Sequence, residues 1–176
     1  GSSDYGAQLA AHLGLPYAFA YFITDGQGAD EALQIYRETF RPSAAQPKPH
    51  AALCVWALAA DTDEEALRLF ESRARWKMDR NLGRIGPVLP PDQAERDYSP
   101  AEQLALVQLK ANALVGSGPQ VASKLRALAQ RMDIDEIVVI TWTHDPVHQR
   151  RSYELLAKEF AWGQRAPSPE LETALS

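Results

Sequence analysis

Three stretches of this chain stay apolar where a half-wet strand would alternate. They are YAFAYFI (residues 17–23), HAALCVWALAA (residues 50–60) and DEIVVITWTHD (residues 135–145), the last with its exit loop. A strand with one face in water alternates apolar and polar residues. A run without alternation marks a strand buried on both faces, as in a parallel sheet covered by helices. The segments between these runs have helical patterning. The order reads helix, strand, helix, strand, helix, helix, strand, helix, and such alternation predicts an α/β fold with a parallel sheet. Three strands do not close a barrel, which takes about eight. The chain is therefore read as a small open sheet or as a piece of something larger.

The helices have recognisable ends. Residues 4–13 carry Ala7, Ala10, Ala11 and Leu13, with Gly14 placed to close the helix in the left-handed conformation and Pro16 to stop it. Residues 29–40 place Ala32, Leu33, Ile35, Tyr36 and Phe40 on an inner face. RPSAAQPKP (residues 41–49) is a proline-rich connector. DTDEEALRLFESRARWKM opens with Asp61 or Thr62 as a cap and with Asp63, Glu64 and Glu65 at the positive end of its dipole. Residues 81–100 read as a long irregular loop, and a loop of that length in a compact domain is functional or disordered. A helix is predicted from about Pro100 to Leu114. VGSGP (residues 115–119) breaks it, and a further helix runs from Pro119 to Met132. Residues 146–160 form a last amphipathic helix, and the tail after Trp162 is expected to be disordered.

Composition excludes several classes. With 176 residues the chain is long enough for one domain with a core. A net charge of −5 argues against nucleic-acid binding, which needs clustered cations. The single cysteine, Cys54, sits in AALCVWALAA; one thiol makes no internal disulfide and suits a reducing compartment. That run is too short to span a bilayer, and no signal-peptide pattern is present, so a cytoplasmic location is expected. The four histidines show no ligand spacing with Cys54, so no metal site is expected. No P-loop or nucleophile elbow occurs.

The first residues, GSSDYG, pose a specific question. Position 1 is not Met, and Gly-Ser stretches are often tag remnants. The same turn enters a helix, where free N–H groups and the helix dipole converge on one spot and serine hydroxyls add donors, the arrangement of an anion site. An ordinary helix cap uses the same residue types.

The chain resembles the flavin-dependent luciferase-like monooxygenases, the bacterial-luciferase family. The resemblance rests on GSSDYGAQLAAHLGLPYAFAYF, ALQIYRETFRPS, AADTDEEALRL, VGSGPQVASKL and DEIVVITWTHD followed by RRSYELLAKEF, which stand in the family's order and cover the chain to about Phe160. The resemblance implies a partial (β/α)8 TIM barrel: residues 1–162 as its C-terminal part, holding strands six to eight with their helices, residues 81–100 as the mobile insertion, and 163–176 as a tail. It assigns the opening turn to the phosphate of FMN, with Ser2, Ser3, Asp4, Tyr5 and Gly6 around it. Asp4 is a discordant neighbour for a dianion unless it faces away. The implied activity is oxygenation of a small organic substrate by reduced FMN and O2, with a flavin reductase as a candidate partner and a deazaflavin as the alternative cofactor. The protein's part in such chemistry is binding, orientation and exclusion of water. The earlier strands, which contribute much of the flavin and substrate pocket, are absent from this stretch. The chain is thus expected to self-associate or to pair with a missing N-terminal half. The alternative is a non-catalytic barrel fragment, an oligomerising or phosphate-binding module.

Other residues carry weaker expectations. Trp142 and His144 lie at the carboxyl end of the last strand, where barrel enzymes carry their sites. Either can line a pocket, or Trp142 packs in the core and His144 is a solvated loop residue. Tyr21 is a third candidate pocket residue; it stands where related sequences often have His, in a stretch like FAxHF, which leaves a proton-transfer role there unsupported. His50 is expected at the opposite, stability-related end of its strand. Arg80, Arg84 and Arg96 are candidates to meet phosphate or substrate from the insertion, and the Arg150-Arg151 pair reads as a solvated face.

Overall fold

In a computed structural model, which describes residues 1–161, eight helices and four strands alternate along the described chain. They are α1 (Asp4–Leu13), β1 (Tyr17–Phe19), α2 (Tyr21–Thr24), α3 (Ala29–Thr39), β2 (Ala51–Ala60), α4 (Asp63–Asn81), α5 (Pro91–Ala94), α6 (Pro100–Ala111), β3 (Leu114–Ser117), α7 (Gly118–Met132), β4 (Glu136–Ile140) and α8 (Pro146–Glu159). The sheet has the order β1-β2-β3, and β4 also pairs with β2. The pairings of β1 and β4 with β2 are both parallel. The α/β reading with a parallel sheet is thus what the chain adopts. The expected disordered tail lies outside the described residues.

Three boundaries differ from the sequence reading. The run at residues 17–23 is a strand only through Phe19; Tyr21–Thr24 coils into a helical turn that ends at Asp25, whose φ is 52°. The VGSGP break is in part a strand, since β3 covers Leu114–Ser117. Within residues 81–100, Pro90 and Pro91 start the short helix α5.

The chain divides into two compact units. The first holds residues 1–58, 111–114 and 123–142. Here β2 is the spine. Leu53 and Val55 are fully buried, and Tyr17 and Phe19 of β1 lie on the same side of the sheet. Tyr36 of α3 is completely buried against Tyr17 and Phe40, with ring centroids 5.4 and 5.6 Å away. Its hydroxyl donates to the Leu15 carbonyl at 2.9 Å and accepts from the His50 N–H at 3.1 Å. One phenol thereby joins the turn after α1 to the entry of β2. Gly14 closes α1 as read from sequence, with φ 62°; a Cβ there would stand 2.6 Å from the Arg41 carbonyl oxygen. His50 lies at the amino ends of β2 and β4, its Nε2 3.3 Å from Glu136.

The opposite side of that sheet is less covered. Register places Ala18, Ala52, Cys54 and Trp56 on it, with Val138 and Ile140 of β4 alongside. Ala18 is exposed, Cys54 half-buried and Val138 41% exposed.

The second unit holds residues 59–110, 115–122 and 143 onward. Thr62, rather than Asp61, caps α4 by accepting from the Glu65 N–H at 3.2 Å. Asp61 instead binds the Arg151 guanidinium, so Arg151 is paired rather than freely solvated. Ser152 is fully buried and its hydroxyl accepts from the Ala59 N–H at 2.9 Å. A charged network ties residues 96–102 to α4: Arg96 binds both Asp79 and Glu102, and Arg75 also binds Asp79. The Arg96 guanidinium, then the Ser99 N–H and hydroxyl, hold the Glu102 carboxyl down to about 2 from an ordinary 4.5. A carboxyl depressed on folding contributes stability that is present above its unfolded value and lost as it protonates in the folded state. The melting temperature of the wild-type chain should therefore gain an acid-side slope between about pH 4.5 and about pH 2. In Glu102→Gln, calorimetry should find that slope reduced; an identical slope removes Glu102 from the acid response.

Candidate functional site

In a parallel sheet every strand ends on the same rim, and ligands of α/β enzymes collect at the carboxyl ends. The opening turn is held to that rim of the first unit. The Gly1 amino group donates to the Ala18 carbonyl at 2.8 Å, and the Ala20 N–H donates to the Gly1 carbonyl at 2.7 Å. Both partners lie at the carboxyl end of β1. The Tyr17 hydroxyl donates to the Ser3 carbonyl at 3.1 Å. Burial, then the nearby Asp4 charge, pushes that phenol above its ordinary value, so it stays a proton donor. Gly1 and Gly6 pack against each other and the Tyr17 ring; a Cβ on either would sit 3.6 Å from the other's Cα.

The turn does not behave as a plain cap. Ser3 occupies the cap position with extended backbone (φ −149°, ψ 162°), yet its side chain makes no capping hydrogen bond. Among the described residues, the Ser2 and Ser3 hydroxyls and the N–H groups of Asp4 and Gly6 have no acceptor or donor partner. The Ala7 N–H is taken by the Ser3 carbonyl at 3.4 Å. The Tyr5 N–H is taken by the Asp4 carboxylate at 3.0 Å. Unspent donors at a helix start favour an anion. Asp4 already supplies one such charge internally, on the donor of its own neighbour.

Aromatic rings converge at the same rim. Trp142, just past β4, meets Trp56 of β2 edge-on at 6.2 Å and Phe22 of α2 at 6.0 Å and 84°. Trp142 and Phe22 are half-buried, while Trp56 is 6% exposed. Thr141, 2% exposed, donates its hydroxyl to the Ala57 carbonyl at 2.6 Å and fixes the chain's exit from β4. Such edge-to-face rings make a rigid apolar wall suited to a flat, partly apolar ligand. Tyr21 belongs to the first unit too, but its ring lies over Gly26, whose φ is 88° and whose missing Cβ would come within 2.3 Å of that ring.

His144 belongs to the second unit. It is exposed, and its Nδ1 lies 3.0 Å from the Val88 carbonyl oxygen, a contact that needs the proton on Nδ1. With Thr143, Asp145 and His148 it lines a cavity of about 190 Å³ opposite Arg68 and Ser72 of α4. Sequence reading did not find this group, because Arg68 and Ser72 look like an ordinary helix face. The insertion arginines do not stand free for a ligand. Arg96 is bound as above, Arg84 lies 3.9 Å from Asp79, and Arg80 stacks over Trp76 at 5.4 Å. Among the described residues no helix is long and apolar enough to cross a membrane, and no group of three or more His, Cys, Asp or Glu side chains is placed to hold a metal ion.

Known proteins share this chain's pattern. A family model described as luciferase-like monooxygenase matches residues 1–135. A protein of Escherichia coli (strain K12) named luciferase-like monooxygenase is 39% identical over 157 residues, which is 88% of this chain and 46% of that protein. The solved structure of apo-MsnO8 matches with a TM-score of 0.78 at 31% identity, over 92% of this chain and 49% of its own. A second structure shares the fold at a TM-score of 0.52 and 22% identity, over 87% of this chain and 44% of its own. It is a type II Baeyer-Villiger monooxygenase, the oxygenating constituent of 3,6-diketocamphane monooxygenase from the CAM plasmid of Pseudomonas putida, in complex with FMN. The chain spans about half the length of the curated relatives it matches.

Among the described residues the Tyr17 phenol is the turn's one side-chain tether to the sheet. Tyr17→Phe should raise the amide exchange rate of Ala7, whose N–H is bound to the Ser3 carbonyl, by roughly fivefold, the effect of losing about 1 kcal/mol from one hydrogen bond. Unchanged exchange by NMR would mean that the Gly1 backbone bonds alone hold the turn.

Proposed function

The chain belongs to the luciferase-like monooxygenase family, and from that premise we propose that it is the part of an FMN-dependent monooxygenase that grips the cofactor's phosphate and walls one side of its ring. The observation that carries this reading is the turn Gly1–Gly6: two serine hydroxyls and the Asp4 and Gly6 N–H groups, all without partners among the described residues, at the carboxyl rim of a parallel sheet. Those donors fit a phosphate monoester. Bound there, FMN in its reduced form would supply the reaction with O2, and a small organic molecule would be the oxygenated substrate.

This chain's residues would do four things. Ser2 and Ser3 donate to the phosphate oxygens, and the start of α1 adds its dipole. Asp4 turns away from the phosphate when the site fills, because its charge opposes the dianion. Trp142, with Phe22 and Trp56 behind it, gives the site an apolar side that keeps water out. Thr141 keeps Trp142 at the strand end through its bond to Ala57. FMN is favoured over a deazaflavin by the resemblance of the Ser-Ser turn. A flavin reductase would be the partner that delivers reduced cofactor.

A second reading has its own support in the open side of the sheet, where Ala18, Cys54 and Val138 meet solvent. We read the sheet as part of a (β/α)8 barrel, in which further strands would cover that side. Without them, a second copy of this chain would be the cover, and the protein would act as a self-associating phosphate-binding module. Light scattering on the purified chain separates these: a compact monomer removes the self-association reading.

The test of the first reading compares FMN with riboflavin, which lacks the phosphate. FMN should bind more tightly, and replacing Ser2 and Ser3 together with Ala should weaken FMN by about 1–3 kcal/mol in total while leaving riboflavin unchanged. Equal affinity for the two flavins would return the serines to a structural role. Absence of NADH-linked oxygen uptake with a flavin reductase present would leave this chain a binding module only.

A further inference from the structure

The cavity beside His144 has the chemistry of a second site, and it lies wholly within the second unit. Its wall from α4 presents Arg68 and Ser72 one helical turn apart, so both point to the same side. Arg68 makes no ion pair or hydrogen bond among the described residues. Ser72 is 2% exposed, and its Oγ has no hydrogen-bond partner. Buried hydroxyls are ordinarily satisfied, so an orphan at a cavity wall points to a ligand atom that completes it.

The remaining polar groups leave the cavity short of negative charge. His144 already faces the Val88 carbonyl, and His148 Nδ1 lies 3.7 Å from Glu65. The Thr143 hydroxyl donates to the Asp145 carbonyl at 2.6 Å. Asp145 is the one carboxylate of the lining, and its Oδ1 is spent capping α8 on the Val147 N–H at 2.9 Å. Glu64, Glu65 and Glu71 lie within a turn of Arg68 on α4, yet among the described residues none is in an ion pair with it, so its guanidinium has donors to give beside an unspent hydroxyl. Leu69 and Pro91 make the rest of the wall apolar. At about 30 Å³ per water, a 190 Å³ space holds roughly six waters, or an oxyanion head with a short carbon chain.

We propose that this cavity binds a small organic oxyanion, its charged head on Arg68 and Ser72 and its short apolar body against Leu69 and Pro91. The site is independent of the flavin-phosphate turn and uses none of its residues. A permanently charged fork suits carboxylate, sulfonate or phosphate heads alike. The apolar wall is what selects an organic anion over an inorganic one.

The test is NMR titration of the full chain with propionate, inorganic phosphate and n-propanol. Propionate should shift the amides of residues 68–72 and 143–148 along a saturating curve; phosphate should bind more weakly and propanol not saturably. Arg68→Gln should weaken propionate about tenfold, and Arg68→Lys should recover part of the loss. Arg68 is exposed, so the variant's amide dispersion should match the wild type. Ser2 and Ser3 replaced by Ala should leave the propionate curve unchanged, which keeps failure here distinct from failure of the flavin reading. The proposal is overturned by propionate that does not saturate, by equal affinity in Arg68→Gln, or by phosphate or propanol binding as tightly as propionate.

Discussion

Parallel pairing on both sides of β2 is the constraint from which the first unit follows. Tyr17–Phe19 and Glu136–Ile140 lie along the same stretch of this strand, both in its own direction. Ten consecutive residues of β2 contain no charge, and all but Cys54 are buried. A polar or charged residue there would have to be buried without water, at a cost that few local contacts offset. Because the strands share a direction, their ends share a rim. That shared rim brings the opening turn and the Trp142 cluster to one end of the sheet without any residue being dedicated to joining them.

The core of this arrangement was legible in the sequence because it depends on local rules. Continuous apolar runs gave β2 and β4, Gly14 gave the end of α1, and the cap before α4 was narrowed to two residues, of which Thr62 serves. What escaped was set by competition between equally allowed local forms. YAFAYFI is apolar enough for strand or helix, and the bends at Asp25 and Gly26 decide for a helical turn after Ala20. LVGS looks like a break because glycine weakens strands, but hydrogen bonding to β2 makes it one.

The site residues divide in the same way. The free donors of the turn Gly1–Gly6, the candidate phosphate site, were readable because unspent donors at a helix start are a property of the backbone. Trp142 was readable as an aromatic residue at a strand end, though not its partners Phe22 and Trp56, which come from distant segments. His144 was read either as a pocket residue or as a solvated loop residue; it belongs to the second unit, where it is exposed and its ring meets the Val88 carbonyl. The cavity there could not be anticipated, because Glu64, Glu65 and Glu71 stand three or four residues from Arg68 on α4 and sequence alone would pair it with one of them, whereas the folded chain holds no carboxylate in an ion pair with it among the described residues.

The Asp4 carboxylate, seated on the Tyr5 N–H, would be an intramolecular competitor for the phosphate proposed to bind the turn. A tethered group of this kind is present at high effective concentration whatever the solution contains. Chloride or a lone carboxylate, offering one charge and few contacts, gains little by evicting it. An incoming group with three acceptor oxygens and two charges can use the serine hydroxyls and the amides together, and so can exceed it. If the turn holds the proposed phosphate, the residue that looked least compatible with an anion would thereby make the site discriminating, a threshold rather than an obstacle.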